Sequence, residues 1–140
     1  MKTSNLELKW KRREGGGGAT QRDFLDFVID GESLSEKIGG DLVSCLGWFV
    51  PEENVEAVNQ IMLKADSELS ENRYLLYVCP ECGDISCGGV TAIIERIDDK
   101  IIWRDFGFQR DTDGKPHLIK EVDKFVFDRA QYRNVLRSAL

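Results

Sequence analysis

The residues best suited to chemistry lie together in Cys79-Pro-Glu-Cys82-Gly-Asp-Ile-Ser-Cys87-Gly-Gly. Two cysteines separated by two residues, with Pro and Gly to tighten the turn, can carry two thiolates to one tetrahedral ion, which is half of a structural zinc site. Cys87 supplies a plausible third ligand. The fourth would have to be Cys45, His117 or a carboxylate such as Asp84, and none of these sits at a diagnostic spacing. Three thiolates with an open position also match some catalytic zinc sites, but the nucleotide deaminases need a glutamate two residues after a histidine. The single histidine, His117, has Ile119 there. Cys-x2-Cys can instead be a redox pair whose first thiol opens a helix, yet Gly83, Asp84 and further turn residues follow Cys82. The remaining reading is a turn whose small cysteines pack as apolar groups.

Other reactive groups lack partners in the sequence. His117 follows Pro116 and has no neighbouring serine or cysteine to activate. Asp98-Asp99 and Glu52-Glu53 could form acid/base couples, but a hairpin turn and a helix start call for the same residues. The four glycines at 15–18 lack the Lys-Ser/Thr of a phosphate loop.

Charge is more informative. The net charge is -6, with five basic groups against Glu7 in residues 1–13 (+4), four against Asp128 in residues 124–140 (+3), and hence -13 in residues 14–123. An acidic middle of that size repels nucleic acid and anionic membrane and attracts a basic partner. The acids best placed to meet one are Glu52, Glu53 and Glu56 at a helix start, and Asp66, Glu68 and Glu71 in the loop beyond it, offset only by Lys64.

These residues need a scaffold, and 140 residues with 41% hydrophobic and 31% charged content suit one folded domain spanning 1–140. No apolar run approaches the roughly 20 residues that span a bilayer, and the first residues carry charge where a signal peptide is apolar. Three of the four cysteines crowd into one segment, unlike a secreted disulfide scaffold, so reduced thiols in the cytoplasm are expected. Alternation and compact apolar runs predict strands at 5–12, 24–29, 73–79, 90–97, 100–108 and 125–127, with Leu6, Leu8 and Trp10 on one side of the first. Residues 15–18 read as a hairpin loop, and Asp30-Gly31, Asp98-Asp99 and Asp113-Gly114 read as turns. Asp41 is placed to cap a short helical turn through Val43, Cys45 and Leu46 that Gly47 stops. Pro51 opens a central helix over about 52–63, and Asp128 caps a C-terminal helix over 129–138. The fold class is therefore α+β, a largely antiparallel sheet of about six strands with a central helix and a C-terminal helix.

Five motifs resemble a group of small bacterial proteins: Phe27-Val-Ile-Asp-Gly-Glu-Ser-Leu34, Leu46-Gly-Trp48, Leu76-Tyr-Val-Cys-Pro-Glu-Cys-Gly-Asp-Ile-Ser-Cys-Gly88, Trp103-Arg-Asp-Phe106 and Phe125-Val-Phe-Asp-Arg-Ala-Gln-Tyr132. Some proteins similar to these carry an oxidoreductase label, but no nucleotide or flavin fingerprint is present here to support it. The small acidic format is also similar to that of immunity proteins of bacterial toxin systems, including contact-dependent growth inhibition. That second likeness implies a non-catalytic binding protein that neutralises a cognate basic toxin, such as a nuclease. The alternative is a small zinc-binding or thiol redox protein acting through Cys79, Cys82 and Cys87.

Overall fold

The alternating run near the N-terminus forms β1 (Leu6–Arg13), paired antiparallel with β2 (Arg22–Ile29) from Leu6↔Ile29 to Arg13↔Arg22. Gly16, Gly17 and Gly18 all take positive φ in the connecting loop, and a Cβ on Gly15 would meet the Gln21 backbone nitrogen at 2.9 Å, so each of the four glycines has a cause. The computed structural model describes residues 2–112 and 114–140, so the turn expected at Asp113-Gly114 falls partly outside the described residues. Leu6 is buried and Leu8 half-buried, but Trp10 is 65% exposed, so the expected apolar side is incomplete. The Trp10 ring rides over Gly47, where an added Cβ would stand only 3.0 Å from it.

The expected polar connection after Asp30-Gly31 is ordered. Glu32–Ser33 (β3) pairs with β2, and Ser33 caps α1 (Leu34–Ile38) by accepting the Glu36 N–H at 3.2 Å. The helical turn expected after Asp41 is not formed. Val43–Ser44 is instead a short strand, β4, because Val43 is fully buried and the Ser44 hydroxyl donates to the Leu25 carbonyl at 2.6 Å. Asp41 turns outward to Arg13, at 2.7 Å.

Pro51 at the first turn and Glu52 and Glu53 at the positive end start α2 (Pro51–Ile61), as their chemistry requires. Val58, Ile61 and the following Met62 are buried, whereas Val55 faces outward. The chain then enters β5 (Arg73–Val78), β6 (Gly89–Ile97) and β7 (Lys100–Gln109), the last two joined at Asp98-Asp99 with Asp98 at positive φ. A two-residue strand, β8 (His117–Leu118), precedes β9 (Phe125–Asp128), and Asp128 caps α3 (Arg129–Arg137) by accepting from the Gln131 N–H at 3.1 Å.

The protein is α+β, with a six-stranded antiparallel sheet in the order β4-β5-β6-β7-β8, β9 also lying on β7, and a three-stranded sheet β1-β2-β3. The six longer strands are those expected from the sequence, but they divide between two sheets. Hydrogen bonds from Ser4 N–H to the Val126 carbonyl (2.7 Å) and from Leu25 N–H to the Leu46 carbonyl (3.0 Å) tie the two together. At the edge of β1, the Gln131 amide acts as a surrogate strand, donating to the Leu6 carbonyl at 2.7 Å. Among the described residues no helix is long and apolar enough to cross a membrane.

Aromatic rings fill the core. Trp103 meets Phe27, Phe127 and Tyr132 edge-on, with centroids 5.2 to 6.0 Å apart, a preferred geometry for ring quadrupoles. Its indole N–H donates to the Tyr132 hydroxyl (2.9 Å), which donates to the Ile61 carbonyl (2.7 Å), so β7, α3 and α2 share one buried chain of hydrogen bonds. A second polar chain supports the bulge where Asp105 and Phe106 together oppose Ala92. Buried Arg73 donates through both terminal nitrogens to the Asp105 carbonyl and through Nε to Thr91 Oγ1 at 3.2 Å.

Candidate functional site

Strand β5 delivers the chain into the cysteine segment, and two anchors hold it there. Pro80 accepts from Arg22 Nε at 2.9 Å, and the Arg22 guanidinium lies 4.4 Å above the Trp48 ring. Trp48 is fixed in turn by its N–H on the Ser44 carbonyl at 2.7 Å, and Gly83 rests on the ring edge, where a Cβ would stand 3.2 Å away. On the other side Glu81 accepts from Arg13 (3.0 Å) and from the Thr20 N–H (2.8 Å) and hydroxyl (3.0 Å). Those hydrogen bonds draw the Glu81 carboxyl below its ordinary range.

The cysteines converge within this frame. The Gly83 N–H donates to the Cys79 carbonyl at 2.9 Å, closing the Cys-x2-Cys turn. Asp84 then caps a single 3-10 turn, Ile85–Cys87, by accepting from the Ser86 N–H at 2.8 Å, and this turn folds Cys87 back on Cys82. The three sulfurs lie within 4.8 Å of one another, a spacing compatible with a metal. Cys82 and Cys87 are nevertheless joined as a disulfide, which corrects the expectation of four reduced thiols, while Cys79 is a half-buried free thiol. The Cys-Gly-Gly sequence has a steric cause, since a Cβ on Gly88 would collide with the Phe108 ring at 2.3 Å.

None of the proposed fourth ligands joins the group among the described residues. Cys45 is buried in the core, its thiol directed at the Leu75 carbonyl (3.7 Å), and burial pushes it up to about 12. The Asp84 carboxylate is engaged by Ser86, which lowers its protonation range. His117 is exposed in β8, paired with Phe108 across the strands.

Beside the cysteine turn lies a groove of about 410 Å³ with an apolar floor that includes Phe49, Ala57 and Leu75. Glu52, Glu53 and Glu56 line it from α2, Glu68 from the following loop, and Asp84 from the cysteine turn, with no lysine or arginine among the lining residues. Four of the six acids singled out in the sequence are therefore brought together. Asp66 and Glu71 do not line the groove. In sequence Asp84 offers itself only as a metal ligand, and nothing in the linear sequence places it opposite α2.

A second polar cluster is absent from the sequence reading because its members are distant along the chain. Lys11 Nζ donates to Ser35 Oγ at 2.9 Å, and Ser35 and Ser33 donate to the buried Asp26 carboxylate at 3.0 and 2.5 Å. A lysine beside a serine is a possible nucleophile pair, but both hydroxyls are committed to Asp26. The cavity next to Lys11 is lined by Trp10, Arg12, Asp23 and Gly47, not by the serines. This cluster binds strands to one another. No protein-family model, curated protein or solved structure matches the chain.

Proposed function

We propose that the protein is a non-catalytic acidic binding protein of the immunity type, which neutralises a cognate bacterial toxin by taking a basic segment of it into the groove beside α2. The observation that carries this reading is the lining: five carboxylates over an apolar floor, with no lysine or arginine among the lining residues. Such a surface suits lysine or arginine side chains, whose stems pack on apolar groups while their charges meet the rim. A toxin that cuts nucleic acid needs a basic cleft, and the -13 between residues 14 and 123 would speed encounter with it. The same charge disfavours nucleic acid and anionic membrane as partners, and the cytoplasm is the compartment in which such a toxin would be met.

Reversing Glu53 and Glu56 to lysine should slow association with the toxin, or with a lysine-rich peptide as surrogate, by about tenfold or more, and flatten its salt dependence. Both side chains are exposed, and the loss at the positive end of α2 is about 1 kcal/mol, so the melting temperature should fall by only a few degrees. Reversing Asp66 and Glu71, outside the groove, should have a much smaller effect on the association rate. Stopped-flow mixing at two salt concentrations reads both, and equal effects from the two pairs would remove the groove from the reading.

The convergence of Cys79, Cys82 and Cys87 favours a second reading, in which the reduced protein binds zinc through these three thiolates. Zinc would need each sulfur at about 2.3 Å, and the exposed side of Cys82 and Cys87 leaves its fourth position to solvent. Zinc at a free concentration about a hundred times the dissociation constant should stabilise the reduced protein by about 3 kcal/mol. It should leave the oxidised protein and Cys79→Ser unchanged. Thermal melts with and without reductant decide this, and a reduced protein indifferent to zinc would end the reading.

A further inference from the structure

We infer that Cys79, Cys82 and Cys87 form a thiol–disulfide exchange centre in which Cys79 displaces Cys87 from Cys82, exposing Cys87 as the thiol that reacts with small disulfides. A thiol beside a disulfide is the reacting pair of such exchange, and here all three sulfurs lie within 4.8 Å of one another. The Gly83 N–H bond to the Cys79 carbonyl already holds Cys79 and Cys82 across one turn. Glu81 and Pro80 between them are fixed to Arg13, Thr20 and Arg22, so the sulfurs can re-pair by side-chain rotation while the surrounding frame stays in place.

The step is balanced without an added oxidant. The Cys79 thiolate attacks Cys82 Sγ, the Cys79–Cys82 bond forms as the Cys82–Cys87 bond breaks, and Cys87 leaves as a thiolate that takes up the proton given up by Cys79. In the starting form the free thiol is half-buried Cys79, and afterwards it is exposed Cys87. The Cys87 thiolate can then attack a disulfide of the glutathione class, forming a Cys87–glutathione mixed disulfide and releasing one glutathione thiolate. Buried Cys45, directed at the Leu75 carbonyl, stands outside the exchange and serves as an internal control.

The test uses the full chain without reductant, alkylated with iodoacetamide at mildly alkaline pH and mapped by peptide mass spectrometry. Label should appear on both Cys79 and Cys87, each with the complementary disulfide, and not on Cys45. Oxidised glutathione should add one glutathione, on Cys87. Cys79→Ser should abolish both the label and the adduct at Cys87, although Cys87 itself is unchanged, and Cys87→Ser treated with oxidised glutathione should form a Cys79–Cys82 disulfide as the oxidised glutathione is reduced to two glutathione thiols. The paired variants keep the test decisive should one fold poorly. Label confined to Cys79 with Cys82–Cys87 intact, or label on all three cysteines with no disulfide, would overturn the inference. No toxin partner enters the experiment, so its failure leaves the groove reading standing, and loss of the groove reading leaves the exchange standing.

Discussion

Replacing Asp26 with alanine should lower the stability of the fold by about 3–5 kcal/mol, since it removes three hydrogen bonds to a buried carboxylate and each bond to a charged group contributes about 1.5–3 kcal/mol before non-additivity. Asp26 lies on β2 and is 1% exposed. One carboxylate oxygen accepts from the Tyr77 hydroxyl of β5 at 2.6 Å, and the other accepts from Ser33 and Ser35 at 2.5 and 3.0 Å. Ser33 is also the cap of α1, and Lys11 of β1 donates to Ser35 at 2.9 Å. A single side chain thus ties the three-stranded sheet, its short helix and the larger sheet together. Alanine removes the acceptor to which the buried Tyr77 hydroxyl donates, and an orphaned donor costs about 1–3 kcal/mol by itself. Asp26→Asn should fall between wild type and alanine, because its amide keeps one acceptor but presents N–H groups to hydroxyls that were donating. The decisive measurement is a double-mutant cycle in urea. If the bond matters, adding Tyr77→Phe to Asp26→Ala should cost less than Tyr77→Phe alone, because the orphaned hydroxyl is gone. Strict additivity would show that the two groups are not coupled.

That network joins residues far apart in the chain, and no local pattern announces it. Asp26 and Tyr77 are 51 residues apart, and in sequence Asp26 is the one polar residue in the apolar run of residues 24–29, with nothing nearby to name its partner. Local signals were read where residue type alone dictates conformation. Asp98-Asp99 turns the long hairpin, Pro51 opens α2, and Asp128 caps α3. A further local signal is present at Ser33, which with Glu36 three residues on has the spacing of a capping box and does cap α1. The short strands are harder for a physical reason. Val43–Ser44 and His117–Leu118 are too brief to display a period, and their pairing is fixed by partners elsewhere in the chain.

The same division applies to the candidate sites. That Cys79, Cys82 and Cys87 belong together was legible from spacing, but which two sulfurs are bonded depends on the 3-10 turn that returns Cys87 to Cys82. That Glu52, Glu53 and Glu56 share one side of a groove follows from their place on the first turns of α2. The inclusion of Glu68 and Asp84, and the exclusion of Asp66 and Glu71, depends on how the loop after α2 and the cysteine turn meet, which is long-range information.

Alkaline pH should destabilise the protein steeply above about pH 9, because three buried acids are held in their protonated forms. Burial raises the Cys45 thiol from 9.0 to about 12. Tyr77 is raised well above its ordinary 10.0, first by burial and then by the neighbouring Asp26 carboxylate, and Tyr132 is raised mainly by burial in the aromatic core. The sign follows from proton counting. Above pH 9 the unfolded chain releases the Cys45 proton and above pH 10 the two tyrosine protons, while the folded protein retains all three. Stability present below those values is therefore lost as pH rises towards the raised folded values, at about 1.4 kcal/mol per pH unit for each group. By pH 11 the three together remove about 5 kcal/mol, comparable to the whole stability of many domains. Urea midpoints measured from pH 8 to 11 should fall with a slope that steepens after pH 10. Cys45→Ala should shift the start of the decline from near pH 9 to near pH 10, and Tyr132→Phe should make the decline above pH 10 shallower by about one proton's share. Tyr132→Phe should also be less stable at neutral pH by about 1–3 kcal/mol, since it leaves the buried Trp103 N–H and Ile61 carbonyl without the hydroxyl that joins them. The two effects are separable because one is a change in slope and the other an offset, and a flat profile between pH 8 and 11 would mean that these side chains reach water in the native protein.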